Sequence, residues 1–450
     1  MAEVRMIRLR KIIRGVAAIT AVAALTMTNF TGCSKESSKN TDSSSGFSPR
    51  LNTETSVIIN VVGNYDNFPS LEQVGSDFKK YYPNVTINYS KVDDYINVMD
   101  TLLTDNPDVD IFMANNTNIK NNETVKSIAV NLSDESLGFD LTALDSGVYE
   151  SAKSEDGLYR LPLYSIANGL IVNKDLLKKY NLEVPTNYSE FVHCCEVLKA
   201  AGLTPIYGYD SETKKATNLS QGLYGSLVMT KAAKKNTNNS ISTALNALES
   251  GSEQVYLEAL EEVESFRKLG FYSRESNSSI TDNYEKAILR FFEGDVAFLT
   301  ATTETMSGTA KRESKSEKFS AEPFEYTFIA TPLGENGAYI YVNSSAGLAI
   351  NKNGANKDYA IEFLRFYCQV DELNASADAK GMLSTSCKSR SAAAFPDFAM
   401  DNAEYVSYIS DFYLESKPSK TINEIIRLVS DEGVSASEAL GRYQEIISGY

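Results

Sequence analysis

The side chains that could perform chemistry are few and poorly placed for catalysis. The sequence contains a single histidine, His193, followed directly by Cys194 and Cys195. Consecutive helical residues point about 100° apart, so these three side chains make a poor metal cluster. No G-x-S-x-G or H-E-x-x-H motif occurs, and "DNPDVD" (105–110) lacks the glycine and terminal glutamate of a calcium loop. We therefore expect no catalytic residues, no metal site and no cofactor.

Acidic side chains are abundant and leave one catalytic alternative open. The chain carries 59 Asp and Glu against 43 Lys and Arg, which gives a formal net charge of −16. Glycoside hydrolases use paired carboxylates, but with so many acids some pair is always available, so their number discriminates nothing. A surface glycoside hydrolase is therefore kept only as a less favoured alternative. The negative charge argues against a nucleic-acid partner, because it would repel phosphates.

Cys33 lies where an apolar run ends and a polar tract begins. The first 14 residues carry five Arg and Lys, and residues 15–30 contain little that is polar beyond Thr and Asn, which is the plan of a secretory signal. The sequence "FTGC" resembles the lipobox of bacterial lipoproteins, in which the cysteine receives the lipid. This resemblance predicts a signal peptide over residues 1–33 that ends at a lipidated Cys33. The alternative is a chance thiol near an ordinary cleavage site.

The chain after Cys33 divides by composition. Residues 34–55 are rich in Ser, Lys, Asn, Thr and Asp and cannot bury enough apolar surface to fold, so we expect a flexible tether there. Residues 56–450 form a longer stretch than one hydrophobic core normally spans, which predicts two domains.

Four cysteines remain in the predicted folded part, namely Cys194, Cys195, Cys368 and Cys387. Adjacent cysteines do not suggest a disulfide framework, and a domain pair of this size does not need such cross-links. We therefore expect buried free thiols. A bridge that involves Cys387 stays open as the alternative outside the membrane.

Strand and helix patterns alternate at the beginning of the predicted folded part. Short apolar runs suited to buried strands lie at 57–62, 85–89 and 108–114, and helical spacing follows Ser70, a predicted N-cap, and Tyr95. This βαβαβ order predicts a parallel sheet. Ligands of open α/β sheets gather beyond the carboxyl ends of the strands.

Two polar loops follow the first and third predicted strands. The first contains Asn64, Tyr65 and Asp66, and the second contains Asn115 and Asn116. Their side chains can form hydrogen bonds, so they are candidate ligand-binding residues. Ordinary Asn-rich turns are the alternative interpretation.

Several later segments are informative when taken together, although no single one of them would identify a family. They are "NGLIVNKDLL" (168–177), "PTNYSEF" (185–191), "AAGLTPI" (200–206), "FFEGDVAFLTAT" (291–302) and "GLAINKNGANKDYAIEFLRFY" (347–367). In order and spacing they resemble the extracellular solute-binding proteins of carbohydrate ABC importers. The resemblance extends from about residue 56 to the C-terminus.

The resemblance implies an α/β fold with two lobes, each a mostly parallel sheet flanked by helices, joined by strands that cross between them. We expect the chain to visit each lobe twice. The first lobe is predicted to contain residues 56–166 and 300–343, and the second to contain residues 167–299 and 344–450.

The resemblance also implies a sugar site in the cleft between the lobes. A sugar offers apolar C–H faces and hydroxyl edges, so flat aromatic rings combined with polar side chains suit it. The family usually stacks Trp on the sugar, but this chain has no Trp and 26 Tyr, and Tyr can both stack and donate a hydrogen bond. Beyond the two loops, the matched candidates are Tyr164, Asn168, Tyr224, Thr302, Glu304, Tyr339 and Tyr341.

The function implied is capture of a sugar or oligosaccharide and its delivery to ABC transporter permease subunits, by a monomer that the lipid holds on the membrane. Hinge closure over the ligand is the expected mechanism. The same fold could instead serve a peptide, a polyamine or an iron chelate, or act as a sensor, and the sequence leaves these alternatives open.

Overall fold

The computed structural model describes residues 46–104, 106–115, 118–119, 122–208, 218–273, 284–388, 396–398, 400 and 403–450. The predicted signal peptide, Cys33 and Asn116 lie outside the described residues. Within the described part of the chain, no helix combines the length and the apolar character needed to cross a bilayer.

The first sheet has five strands in the order β2-β1-β3-β11-β4. Their bounds are β1 Val57–Gly63, β2 Val85–Lys91, β3 Ile111–Ala114, β4 Leu161–Pro162 and β11 Gly347–Ile350. Strand β1 pairs in parallel with β2 and β3, so the predicted βαβαβ start is confirmed. Strand β11 is antiparallel to both β3 and β4.

Amphipathic helices cover the first sheet. They are α1 Pro69–Phe78, α2 Tyr95–Leu103, α3 Glu123–Ile128, α4 Ser146–Ala152, α13 Lys357–Tyr367 and α14 Val370–Lys380. The prediction that Ser70 caps α1 is wrong, because the helix begins at Pro69 with Phe68 at the cap position. Ser70 is buried instead, and its hydroxyl is hydrogen-bonded to the Tyr164 hydroxyl.

The end of the predicted tether is packed against the first lobe. The Phe47 ring makes edge contacts with Tyr81 and Phe366, at centroid distances of 5.1 and 5.3 Å. The Arg50 amide lies 3.1 Å from both the Tyr82 hydroxyl and a Glu362 carboxylate oxygen. A flexible tether over all of residues 34–55 is therefore wrong for its last part, because an aromatic side chain and paired backbone groups fix that part to the domain.

A second sheet, β7-β8-β6-β9, builds the other lobe. Its strands are β6 Asn168–Asn173, β7 Ile206–Tyr207, β8 Phe298–Thr302 and β9 Tyr326–Ile329. Strand β6 is antiparallel to β8 and β9, while β7 and β8 are parallel. The expected two-lobed mixed α/β fold is thus present, although two of the three pairings in this sheet are antiparallel.

Helices from three parts of the chain surround the second sheet. They are α5 Lys174–Lys179, α6 Tyr188–Ala200, α7 Ser226–Lys235, α8 Ser240–Asn246, α9 Leu257–Lys268, α10 Tyr284–Phe291, α11 Thr303–Ser307, α12 Glu317–Ala321, α15 Ser416–Ser430, α16 Ala436–Gly441 and α17 Tyr443–Ser448. A short helix, Asn218–Ser220, and a π-helical turn, Gln221–Gly225, lead into α7. The short 3₁₀ segments include Glu135–Leu137, Leu141–Ala143, Thr237–Asn239, Ser252–Tyr256 and Ala310–Lys315.

A third sheet, β12-β5-β10-β13, lies where the chain passes between the lobes. Its strands are β5 Tyr164–Ile166, β10 Tyr339–Ser344, β12 Leu383–Ser384 and β13 Tyr405–Tyr408. The chain crosses from β4 through β5 to β6, returns from β10 to β11, and crosses again after α14 into β12. These three passages make the connection between the two lobes.

The pairing of the strands corrects the predicted division of the chain. Strand β9 and the last three residues of β8 fall within 300–343, which was predicted for the first lobe, but both strands pair with β6 of the second lobe. Strand β11, predicted for the second lobe, pairs with β3 of the first, and α13 and α14 contribute to the same core as β1. Sequence periodicity identifies a strand but not the strand with which it pairs. The predicted change of lobe at residue 344 is therefore wrong.

Candidate functional site

The loop after β1 places an aromatic ring at the carboxyl edge of the first sheet. Tyr65 is half-buried there, and its ring makes an edge contact with Phe68 at a centroid distance of 5.2 Å. The Tyr89 hydroxyl on β2 donates a 2.9 Å hydrogen bond to the Tyr65 carbonyl oxygen. Two neighbouring strands therefore hold this loop in one conformation.

Three distant parts of the chain meet near Tyr65. The Ser345 backbone amide, on the passage from β10 to β11, donates a 2.8 Å hydrogen bond to the carbonyl oxygen of Tyr164, whose hydroxyl is hydrogen-bonded to Ser70 of α1. Burial raises the pKa of Tyr65 well above its ordinary value, and the nearby Tyr164 and Glu304 raise it further.

Glu304 belongs to α11 of the second lobe, and the neighbouring Thr303 hydroxyl donates a 3.4 Å hydrogen bond to the Ser165 carbonyl oxygen of β5, so α11 lies at a crossing between the lobes. Two predicted residues, Tyr164 and Glu304, thus influence the ionisation of a third, Tyr65.

Lys380 is a member of this cluster that the sequence reasoning missed. It is the last residue of α14, and its Nζ lies 4.4 Å from the centroid of the Tyr65 ring. Gly381 follows with φ 68°, a left-handed conformation that ends the helix at this point. The sequence signal was available, because a Lys-Gly pair after an amphipathic stretch indicates a helix end. Its position beside Tyr65 was not available from the sequence.

Asn168 and Thr302 lie opposite each other on the second lobe, as partners in the β6–β8 register. The Asn168 amide donates a 3.2 Å hydrogen bond to the Gln221 carbonyl oxygen in the π-helical turn. Thr302 caps α11, because its Oγ1 accepts a 3.1 Å hydrogen bond from the Thr305 amide. Both side chains are half-buried at the edge from which Glu304 projects.

Two of the predicted tyrosines are core residues. Tyr164 has no exposed surface, and burial raises its pKa to about 12. Tyr224 is likewise fully buried, and its hydroxyl lies 2.7 Å from the Tyr272 hydroxyl inside the second lobe. Neither ring presents a free face to a ligand in this conformation. Tyr164 packs in the core of the first lobe, whereas Tyr224 packs in the core of the second lobe.

Tyr339 and Tyr341 on β10 are engaged elsewhere. The Tyr339 hydroxyl donates a 2.7 Å hydrogen bond to Glu404, and the Lys234 ammonium lies 5.4 Å from its ring centroid. The Tyr341 hydroxyl donates to the Phe412 carbonyl oxygen at 3.1 Å. A strand rises about 3.3 Å per residue, so Tyr339 lies roughly 20 Å along the chain from Ser345.

The remaining predicted loop residues are on the surface. Asn64 is exposed, and Asp66 forms a 2.6 Å ion pair with Lys91. The Asn115 side chain accepts a 2.8 Å hydrogen bond from the Asn118 amide. The side chains of Asn115 and Asp66 therefore stabilise the loops to which they belong. Both loops lie at the same edge of the first sheet as Tyr65.

Two surface cavities lie away from the Tyr65 cluster. One, of about 370 Å³, is in the second lobe and is lined by Asn173, Tyr180 and Phe324, among others. The other, of about 710 Å³, is in the first lobe and is bordered by Phe139, Tyr149 and Cys387, among others. None of the predicted cleft residues lines either cavity. The candidate site is therefore defined by the side chains around Tyr65 and not by a cavity.

The four described cysteines are free thiols. Cys194, Cys195 and Cys368 are buried, as predicted, and burial raises the pKa of each thiol above its ordinary value. Cys387 is exposed and unbridged, in contrast to the expectation of a buried thiol. The thiol pKa values of the buried three favour an unreactive packing role.

Comparison with known proteins identifies the family and the fold. The family model described as bacterial extracellular solute-binding protein matches residues 63–368. RafE in complex with raffinose has a TM-score of 0.60 and 16% identity, and the match covers 88% of this chain and 99% of that chain. The apo form of RafE from Streptococcus pneumoniae has a TM-score of 0.62 and 16% identity, with coverage of 89% and 99%. No curated protein matches this sequence.

Two further structures share this fold. Maltose-bound MalE3 of T. maritima has a TM-score of 0.57 and 16% identity, covering 88% of this chain and 100% of its own. A probable secreted solute-binding lipoprotein of Streptomyces coelicolor has a TM-score of 0.64 and 15% identity, covering 86% and 98%. The family match over residues 63–368, and the two lobes with a cluster between them, show that the chain belongs to the bacterial extracellular solute-binding proteins, which serve ABC importers outside the cytoplasm.

Proposed function

We propose that the protein captures a sugar or oligosaccharide between its two lobes and delivers it to the permease subunits of an ABC importer. The observation that carries this proposal is the convergence on β5, at the crossing between the lobes, of Ser345 through a 2.8 Å hydrogen bond and of α11 through a 3.4 Å hydrogen bond. Tyr65 and Glu304 lie close enough for the charge of Glu304 to raise the pKa of Tyr65. An aromatic ring beside a carboxylate and a hydroxyl provides one apolar contact and several hydrogen-bonding groups, which suits a ring of hydroxyls with apolar faces.

Raffinose and maltose, the ligands bound in two structures of the same fold, support a carbohydrate over a peptide or a chelate. These structures are only 16% identical to this chain, so they support the class of ligand and not its identity. Binding and release need no chemical conversion, which agrees with a family of binding proteins.

Closure of the lobes would couple capture to transport. A ligand that contacts Tyr65 alone in the open form and both Tyr65 and Glu304 in the closed form binds the closed form more tightly. That difference in affinity shifts the population toward closure. To move the equilibrium from about 1:99 to 99:1, the difference must reach roughly 5.5 kcal/mol.

The lipidated Cys33 would hold the two-lobed protein near the permease. A lipidated cysteine inserts acyl chains that contribute about 0.8 kcal/mol for each buried methylene, and two chains anchor stably. Because Phe47 and Arg50 attach the following segment to the first lobe, the free part of the connection would be shorter than the 34–55 tether predicted from composition.

A thermal-shift and calorimetry screen tests the proposal. We expect the midpoint of unfolding to rise with one or more mono- or oligosaccharides, because a ligand that binds only the folded state stabilises it by mass action. Tyr65→Ala should weaken binding by at least tenfold, and Tyr405→Ala, which removes an exposed ring of β13 away from the site, should not. Stabilisation by peptides or polyamines alone would contradict a carbohydrate ligand, and product formation from oligosaccharides would indicate an enzyme.

A further inference from the structure

The three passages between the lobes change from one hydrophobic core to another at the same level. In each passage, one residue packs in the core of the first lobe, and a residue close to it in the chain packs in the core that the second and third sheets share. These residue pairs are Tyr164 and Ala167, Leu348 and Val342, and Met382 and Leu383. A packed core resists deformation, so rotation of one lobe against the other must occur within these short stretches.

Ser165 lies at the centre of this hinge. It is a buried residue of β5, and it pairs with Ser344 of β10 on one side and with Leu383 of β12 on the other. Both partners belong to the stretches in which the core changes. The three passages therefore lie side by side in one sheet, and the middle one contains Ser165.

Thr303 attaches the hinge to the beginning of α11. Its amide donates a 3.0 Å hydrogen bond to the Ala167 carbonyl oxygen. Its Oγ1 accepts a 3.3 Å hydrogen bond from the Ala167 amide and donates a 3.4 Å hydrogen bond to the Ser165 carbonyl oxygen. The side chain has no exposed surface, so water does not compete for these bonds. Thr303 thus holds the chain on both sides of Ile166, where β5 ends.

The residues on either side of Thr303 belong to the candidate site. Glu304 is exposed at the edge of the second lobe, and Thr302 caps α11 through a 3.1 Å hydrogen bond from the Thr305 amide to its Oγ1. The cap fixes the first turn of the helix, and adjacent Cα atoms are separated by only about 3.8 Å. A displacement of Glu304 is therefore passed to Thr303.

We propose that Thr303 is a positioning residue that couples ligand contact at Glu304 to the rotation of the lobes. This inference rests on the proposed function. A ligand that draws Glu304 toward the first lobe displaces α11, and Thr303 moves Ser165 and Ala167 with it. The paired strands β10 and β12 then turn together with β5. Without the Thr303 hydroxyl, the helix shifts while the hinge strand keeps its position.

Hydrogen exchange of the ligand-free protein tests the attachment. Thr303→Val preserves the shape of the side chain and removes both hydroxyl bonds, whereas Thr303→Ser retains the hydroxyl. We expect exchange about fivefold faster or more in Thr303→Val for peptides that contain Ala167, Ser345 and Leu383, and exchange within about twofold of the wild type in Thr303→Ser. Faster exchange at Ala167 alone would show that Thr303 stabilises only its own neighbour, which overturns the proposal.

Thr421→Val is the matched control. Thr421 is a fully buried residue of α15, and its hydroxyl donates a 2.9 Å hydrogen bond to the Lys417 carbonyl oxygen, away from the three passages. This variant should leave exchange at the three passages as in the wild type, whatever it does to the unfolding midpoint. Equal acceleration in both variants would show that any buried hydroxyl has this effect, and the proposal fails.

The wild type provides a test that does not depend on a variant. Saturating raffinose or maltose should slow exchange in the segment that contains Thr303 and Glu304 and, at the same time, at all three passages. Slower exchange at that segment alone overturns the coupling.

Scattering with the same two sugars distinguishes this inference from the function on which it rests. Saturating sugar should lower the radius of gyration of the wild type and Thr303→Ser, and should lower that of Thr303→Val by at most about half as much. An equal decrease in Thr303→Val overturns the coupling and leaves sugar binding intact. If no sugar binds, the proposed function fails, and the ligand-free exchange still decides whether Thr303 attaches α11 to the hinge.

Discussion

Glu372 is a single side chain whose charge state should be visible in the stability of the protein. It lies in the first turn of α14, and one of its carboxylate oxygens is buried without a hydrogen-bond partner in the described structure. Burial, and to a smaller extent the nearby Asp77, raises its pKa from 4.5 to about 7, against the opposing charge of Lys80. The folded protein therefore holds a proton at a pH where the unfolded chain has already released it.

The sign of the pH dependence follows from that shift. Between pH 4.5 and about 7 the folded state binds more protons than the unfolded state, so the free energy of unfolding falls as pH rises through this window. Glu372→Gln removes the ionisable group and should stabilise the protein by about 1–2 kcal/mol more at pH 8 than at pH 5, after allowance for solvent screening. Urea unfolding at the two pH values measures the difference.

Glu54→Gln is the matched control, because Glu54 is exposed and outside this cluster. It should leave the pH dependence as in the wild type. The same gain for Glu372→Gln at both pH values would show that packing, and not the buried charge, determines the effect.

Sequence reasoning performed unevenly at the scale of residues. Tyr65 and Glu304 were identified from strand ends and family resemblance, and both lie in the cluster between the lobes. Tyr339 and Tyr341 were matched through the family resemblance, but a tyrosine on a strand gives the same sequence signal whether its ring faces a cleft or its hydroxyl contacts Glu404 or Phe412. Lys380 was missed because its importance depends on a ring more than 300 positions earlier in the chain.

The passage from β10 to β11 is one of the three connections between the lobes, and it is closely packed. Gly347 begins β11, and a Cβ there would collide with the Leu161 carbonyl oxygen and lie 2.6 Å from Arg160 Nη1. Arg160 is fully buried and donates a 3.1 Å hydrogen bond to the Ser345 carbonyl oxygen, so it cannot move aside freely. Backbone and guanidinium together leave room for glycine alone.

Gly347→Ala should therefore destabilise the protein. Overpacking of a fixed backbone costs about 1–3 kcal/mol, and we expect a loss in that range from urea unfolding. Gly441→Ala is the control, because a Cβ at the end of α16 would meet nothing within 4 Å. It should be neutral or stabilise slightly, since Ala is the better helix former. Equal stability of the two variants would contradict the close packing at Gly347.

The elements themselves were predictable where local patterns decide them. Strands β1, β2 and β3 and helices α1 and α2 follow from apolar runs and helical spacing, and each is present. The partner of β11 was not predictable, because "GLAI" is a buried run that would suit either sheet. Its antiparallel pairing with β3 is decided by contacts between segments more than 200 residues apart. Because of that pairing, residues 344–382 belong to the first lobe and not, as predicted, to the second.

At the scale of the whole molecule, the lipid attachment is a prediction about where the protein is found. Cys33→Ser should move the protein from the membrane fraction to the soluble fraction, because no acyl chain can then be added. Cys387→Ser is the matched control, since Cys387 is an exposed free thiol of the first lobe and should leave the distribution unchanged. Cell fractionation followed by immunoblotting measures both. Retention of the Cys33→Ser protein in membranes would contradict the anchor.

The proposed closure of the two lobes over the ligand also predicts a change in the overall dimensions of the protein. A single compact body of residues 46–450 would have a radius of gyration of about 21–22 Å, and two separated lobes exceed that value. A saturating ligand that contacts Tyr65 and Glu304 together should bring the lobes closer and lower the measured radius toward it. Small-angle scattering measures this with and without the sugar selected by the thermal-shift screen. Identical radii with and without saturating sugar would contradict closure of the lobes.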